Sequence, residues 1–339
     1  MKPVFFLMLL MALMLLSSCQ ADLRELCYDH SHMANVSLSF QWPDTEEAAA
    51  VKGMTALFYP ADQPAAEPIR YDFSGRDGGS ASLSTGNYRV IAYNNDTESI
   101  LYRGTTSSNT LEAYTRRSTI EEGTQLAPFT RGHAMPRAAG TEDEPIILDP
   151  DPLWAAGKSL SLSSEAKTEA LLFTEPRVIP VEITITGVPN LQYSSQFGGT
   201  LSGLAASIMM DSGELGDEKA TQAFTAHVVG DSTLKMRFNI FGHCPHRAQH
   251  LVHQHQLTVY AILADGSKWY YTQDVSNQMH DDVKNPEYHY DPEHPETLEL
   301  NYEIDIDLDE LPVPKPIVNG SGFQPTIDGW QSIEIPVEM

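Results

Sequence analysis

The residue types best suited to chemistry crowd into one stretch: His243, Cys244, His246, His250, His253 and His255. Imidazole nitrogens and a thiolate are good ligands for zinc and its neighbours. Their spacing fits no zinc-finger template, although on a strand His253 and His255 share one face. The competing reading is a polar loop, Pro245 to Gln254, between two strands. On that reading no residue is assigned to metal, and no cofactor is expected. Asp305, Asp307 and Asp309 alternate like the opening ligands of a calcium loop. Such a loop needs a glycine after the third acid and a distal glutamate. Here Glu310 and Leu311 follow Asp309, so a strand with Ile304, Ile306 and Leu308 inward fits better. Ser202 lies in Thr200-Leu201-Ser202-Gly203, without the Gly-x-Ser-x-Gly elbow that exposes a nucleophile. Glu142, Asp143 and Glu144 read as a solvated charge run. No phosphate loop or dinucleotide fingerprint is present, no catalytic residue is assigned, and the chain is expected not to be an enzyme.

One thiol has a clear reading. Lys2 supplies a positive start, Val4 to Leu16 form an apolar run, and Leu16-Ser17-Ser18 lead into Cys19. A run this short, ending in small residues, is a secretory signal rather than a membrane span. The cysteine at its end marks the pattern at which an exported bacterial chain is cut and receives a diacylglycerol. Residues 1–18 are therefore expected to be a lipoprotein signal peptide, with lipid on Cys19. Each buried acyl methylene contributes about 0.8 kcal/mol, and two or more chains give lasting attachment. Gln20 follows where an aspartate would suggest inner-membrane retention, so the outer membrane, facing outward, is the expected location. Of the 3 cysteines, Cys27 and Cys244 remain, and sequence alone cannot bring them within bridging distance.

The formal net charge is −25 at pH 7, and loss of Lys2 with residues 1–18 takes it to −26 (−25 − 1). Such a surface repels phosphate backbones and excludes nucleic acid as a partner. Alternating apolar and polar residues recur along the chain: Val36 to Trp42, Ile69 to Phe73, Val181 to Ile185 and Leu298 to Leu308. Other strand-like runs include Met54 to Tyr59, Arg89 to Tyr93, Ala170 to Phe173, Leu234 to Phe241 and Ile333 to Val337. Asp265-Gly266 between Leu257–Leu263 and Lys268–Thr272 predicts a hairpin with a type I′ turn. Leu191 to Met210, broken by glycines, suits either a strand or a short helix. The pattern predicts an all-β chain of two β-sandwiches. The expected organisation is a tether over 19–34, an N-terminal sandwich over 35–120, a linker or long excursion over 121–165, and a C-terminal sandwich over 166–339.

Cys19, Leu26-Cys27-Tyr28-Asp29-His30, the Trp42 strand, Asn95-Asp96-Thr97-Glu98, Phe241-Gly242-His243-Cys244-Pro245, Asp265 to Tyr271 and Pro314 to Gly320 together resemble a known family. It is a fimbrillin-associated lipoprotein family of gut and oral Gram-negative anaerobes, related to the FimB-type anchor proteins of type V fimbriae. The resemblance runs along the whole mature chain. It implies two tandem transthyretin-like (Greek-key) sandwiches and a role as fimbrial anchor or accessory subunit in pilus assembly and adhesion. It further implies fimbrial subunits as partners, joined by β-strand addition. Arg116-Arg117 is a basic pair of the kind a trimming protease cuts, but a surface turn is the simpler reading. The rival function is a surface module that binds glycan or host protein, with Trp269, Tyr270 and Tyr271 as a stacking platform.

Overall fold

The computed structural model describes residues 32–130, 134–164, 167–243, 254–280, 304–309, 311, 313–315 and 329–332. The chain is all-β, with β-sandwiches as expected. The first body uses β1 (Met33–Gln41), β2 (Met54–Pro60), β3 (Ile69–Phe73), β4 (Gly78–Ser84) and β5 (Gly86–Asn94). A small sheet follows, begun by β6 (Ile100–Arg103) and β7 (Glu112–Thr115). After β8 (Ile146–Ile147) the chain returns to the first body as β9 (Trp154–Leu162), β10 (Thr168–Phe173) and β11 (Glu175–Pro176). The second body holds β12 (Ile179–Thr186), β13 (Ser194–Ala205), β15 (Lys219–Val229), β16 (Thr233–Ile240), β17 (Gln256–Leu263), β18 (Lys268–Asp274), β19 (Ile304–Asp309) and β20 (Trp330–Ser332). Between β13 and β15, β14 (Ser207–Met209) joins the small sheet.

In the first sandwich a sheet of order β10-β1-β4 faces one of order β11-β9-β5-β2-β3. β1 alternates as its sequence requires: Ala34, Val36, Leu38 and Phe40 are buried and pack on Phe58, Val90 and Leu160 from the facing sheet. β2 and β5 do not alternate. Their second faces, with Leu57, Tyr59, Ile91 and Tyr93, meet Leu111, Ala113, Ile208, Met210 and Phe241 in a separate core. This junction core joins the two bodies through the small sheet β14-β7-β6.

The second sandwich is one sheet folded on itself, of order β19-β12-β16-β15-β13-β17-β18-β20. β15 is the corner. Lys219 to Ala226 pair with β13, and His227 to Val229 pair with β16. A strand that switches partners at a bend lets one sheet supply both layers. Val181, Ile183 and Ile185 face Leu201, Leu257 and Val259 across the fold, and Phe224 stacks on Phe238 with ring centroids 4.0 Å apart.

The strand pairing corrects the expected boundaries. β10 lies parallel to β1, Val36 opposite Thr168, so residues 168–176 complete the first sandwich instead of opening the second. The stretch 121–165 is no linker. Ile120, Leu126, Met135 and Ile146 pack against Tyr260 and Ile262 of the second sandwich. Further on, β8 pairs with β15 and β9 with β5. The start of β1 also takes Met33 and Ala34 from the expected tether. The Asp265-Gly266 hairpin forms, but not with a type I′ turn. Only Gly266 has positive φ (83°), and Leu263 donates to the carbonyl of Ser267. That is a three-residue loop, Ala264-Asp265-Gly266, with a left-handed glycine at its end. Asp265 accepts from both the amide and the hydroxyl of Ser267, which favours this turn.

Candidate functional site

Two features carry functional interest: the sheet edges and a histidine cluster. Cys19 and Cys27 lie outside the described residues, as do Cys244, His246, His250 and His253. Of the histidine-rich stretch, His243 and His255 are described, and the fold brings both to His280. His243 follows β16 and forms an antiparallel bridge with Leu204 of β13. His255 is the residue before β17 and is fully buried. His280 ends the short helix Ser276–Met279 that follows β18. Ring centroids are 5.4 Å apart for His243–His255, 5.1 Å for His243–His280 and 5.0 Å for His255–His280. One ring nitrogen of each lies within 4.8 Å of the others.

A bulge makes room for this cluster. The register of β13 against β15 shifts between Leu201 and Leu204, and Gly203 takes φ 76°. A Cβ on Gly203 would stand 2.8 Å from Nδ1 of His255 and 2.7 Å from the carbonyl of Gln254, so a side chain there would collide with both. Bulges of this kind re-aim backbone beside functional sites. Here the bulge turns the Ser202 carbonyl toward Nδ1 of His255, at 3.0 Å.

His280 has no local signal in the sequence. What finds it is hairpin register: Gln256 opposes Asp274, so His255 meets Val275, whose amide donates to its carbonyl. One turn of helix then carries His280 back. The aromatic run is not a platform. Tyr271 is buried in the second core with Trp269 packed against it, while Tyr270 packs on the opposite face. Arg117 pairs with Glu218 at 2.6 Å and Arg116 with Glu122, so the basic pair is tied to surface acids.

The junction is held by polar contacts as well as by its core. Arg89 on β5 grips Asp211 through Nε at 3.0 and 3.1 Å. Arg177 is buried, bonded to Glu175 at 2.9 Å and to the carbonyl of Met210. Glu112 on β7 accepts from Arg103 at 2.6 and 2.7 Å and from Ser207. The Arg103 guanidinium holds the Glu112 carboxyl below the usual carboxylate range; desolvation opposes this and Ser207 assists it.

The outer strands differ in their cover. Leu171 on β10, Ile69 on β3 and Leu101 on β6 are 42%, 38% and 42% exposed, and each lies on the last strand of its sheet. In the second sandwich β20 runs parallel to β18 over Lys268 to Tyr270, and β19 runs parallel to β12. Trp330 of β20 meets Tyr260 edge-on at 5.4 Å.

Comparison with known proteins places this geometry. The chain is 24% identical to the "Putative fimbrium anchoring subunit Fim4B" of Bacteroides ovatus over 353 residues, 98% of each chain. The crystal structure of a "putative adhesin" from Bacteroides ovatus shares the fold, with a TM-score of 0.55 at 21% identity, covering 83% of this chain and 94% of that one. The fimbrial anchor protein Mfa2 from Porphyromonas gingivalis is more distant, with a TM-score of 0.44 at 12% identity over 81% of this chain and 90% of that one. The family model described as a domain of unknown function, DUF5119, matches residues 18–225, more than half of the sequence, and the chain belongs to that family.

Proposed function

We propose that this protein is a non-catalytic fimbrial anchor or accessory subunit, held on the outer membrane by lipid on Cys19 and joined to a fimbrial subunit by β-strand addition. The observation that carries the reading is the match to the "Putative fimbrium anchoring subunit Fim4B", which covers 98% of both chains. The architecture supports it. Strand addition needs a sheet edge with unpaired backbone groups, and Leu171, Ile69 and Leu101 put apolar side chains on strands that are outermost in their sheets among the described residues. A strongly acidic surface keeps a protein with open edges soluble before assembly. Burial of Tyr271 and packing of Trp269 into the core argue against the glycan-binding alternative.

Cys19→Ala in the native host tests the anchor. The variant is expected to take up no fatty-acid probe, to accumulate as unprocessed precursor, and to release fimbriae into the medium. Undiminished labelling would remove Cys19 as the lipid site. Fibres that stay on the cell while labelling is lost would remove the anchoring role.

A further inference from the structure

We propose that His243, His255 and His280 bind a divalent transition-metal ion of the Zn²⁺ class, which ties together three chain segments at one end of the second sandwich. The first ground is convergence. Three imidazoles from separate elements place ring nitrogens within 4.8 Å of one another, and with interplanar angles of 79°, 73° and 44° no two rings stack face to face. Tetrahedral zinc with Zn–N of about 2.0–2.1 Å needs ligand nitrogens about 3.4 Å apart. His243 and His280 are only partly buried, while His255 between them is held in the interior.

The second ground is the state of the central ligand. A carbonyl oxygen only accepts, so the contact between Nδ1 of His255 and the Ser202 carbonyl requires the proton on Nδ1. In the neutral ring the lone pair is then on Nε2. Histidine ligands are commonly oriented in this way, by a hydrogen bond from the second nitrogen to backbone or carboxylate. The third ground is the rigidity of what carries the rings. The amide of Ala205 donates to the carbonyl of Gly242, that of His255 to Oγ of Ser276, that of Val275 to the carbonyl of His255, and that of His280 to the carbonyl of Ser276.

Among the described residues the group contains three imidazoles and no carboxylate, a donor set that suits zinc, copper or nickel over calcium or magnesium. Three protein ligands leave a fourth position for water or a donor from another molecule. An ion bound only by the folded chain stabilises it by mass action.

The test uses the full chain, stripped with chelator and titrated with Zn²⁺ by calorimetry at neutral pH, with thermal melts in parallel. The expected result is one ion per chain and a melting temperature about 5 °C higher at saturating metal. His280→Asn, at a half-buried position at the end of a turn of helix, keeps the metal-free melting temperature and weakens binding at least about tenfold. A variant with His246, His250 and His253 all changed to Asn binds as the parent does. Co²⁺ in place of Zn²⁺ gives a tetrahedral visible spectrum that His280→Asn abolishes, a change that loss of packing alone does not produce. Absence of saturable binding, binding indifferent to His280→Asn, or binding lost in the triple Asn variant would each overturn the proposal.

Discussion

The two sandwiches solve the same packing problem differently. The first closes two separate sheets over one core, and its closing strand β10 arrives from far along the chain to lie parallel to β1. The second folds a single sheet at β15 and flanks it with its own late strands β19 and β20. The first therefore presents edges dotted with exposed apolar residues, whereas the outer strands of the second come from the C-terminal part of the chain. Yet β2 and β5 are buried on both faces, and the junction core binds the bodies together. They differ as architectures and should behave as one unit in unfolding.

The largest expected effect tests that unity. Phe58→Ala in the first core and Phe238→Ala in the second each remove a fully buried ring, at a cost of about 3–5 kcal/mol. Either variant should shift a single denaturant transition seen by both fluorescence and circular dichroism. Two separated transitions, each moved by only one variant, would show that the sandwiches unfold independently. A smaller effect tests the polar seam. Glu112→Gln should cost about 1–2 kcal/mol at neutral pH, because Arg103 and Ser207 lose a charged acceptor. The folded Glu112 carboxyl titrates below its unfolded value, so its contribution is present above about pH 4.5 and fades as pH falls through the depressed folded value. The parent should lose stability over that range relative to Glu112→Gln; parallel pH curves would exclude the linkage. The smallest effect concerns cover of the second sandwich. Truncation after Gly329 removes β20 and the contact of Trp330 with Tyr260, and should lower monomer stability by about 1 kcal/mol. An unchanged melt together with lost binding to a fimbrial subunit would instead make this segment a donated strand.

Much of the fold was legible locally. The period-2 runs of β1 and β12 become strands with alternating burial, because each has a core on one face only. The division between bodies was not legible. It depends on which strand pairs with β1, and nothing in Thr168 to Phe173 states that its partner lies far back in the chain. β2 and β5 similarly read as ordinary apolar runs, although their second faces build the junction. At the histidine cluster the sequence marked His243 and His255 for their crowding with other histidines. His280 joins them through hairpin register and one turn of helix, information that lives in pairing rather than in spacing.

The parallel pairing of β1 and β10 also sets an order of events. The hydroxyl of Ser39 reaches the carbonyl of Ala170 across 131 residues, and before the chain returns for that contact it has already supplied β8 to the second body. A polypeptide synthesised from its N-terminus thus cannot finish its first sandwich until just over half of its residues have appeared. Long-range closure of this kind slows folding. The same interleaving that joins the two bodies postpones closure of the first of them.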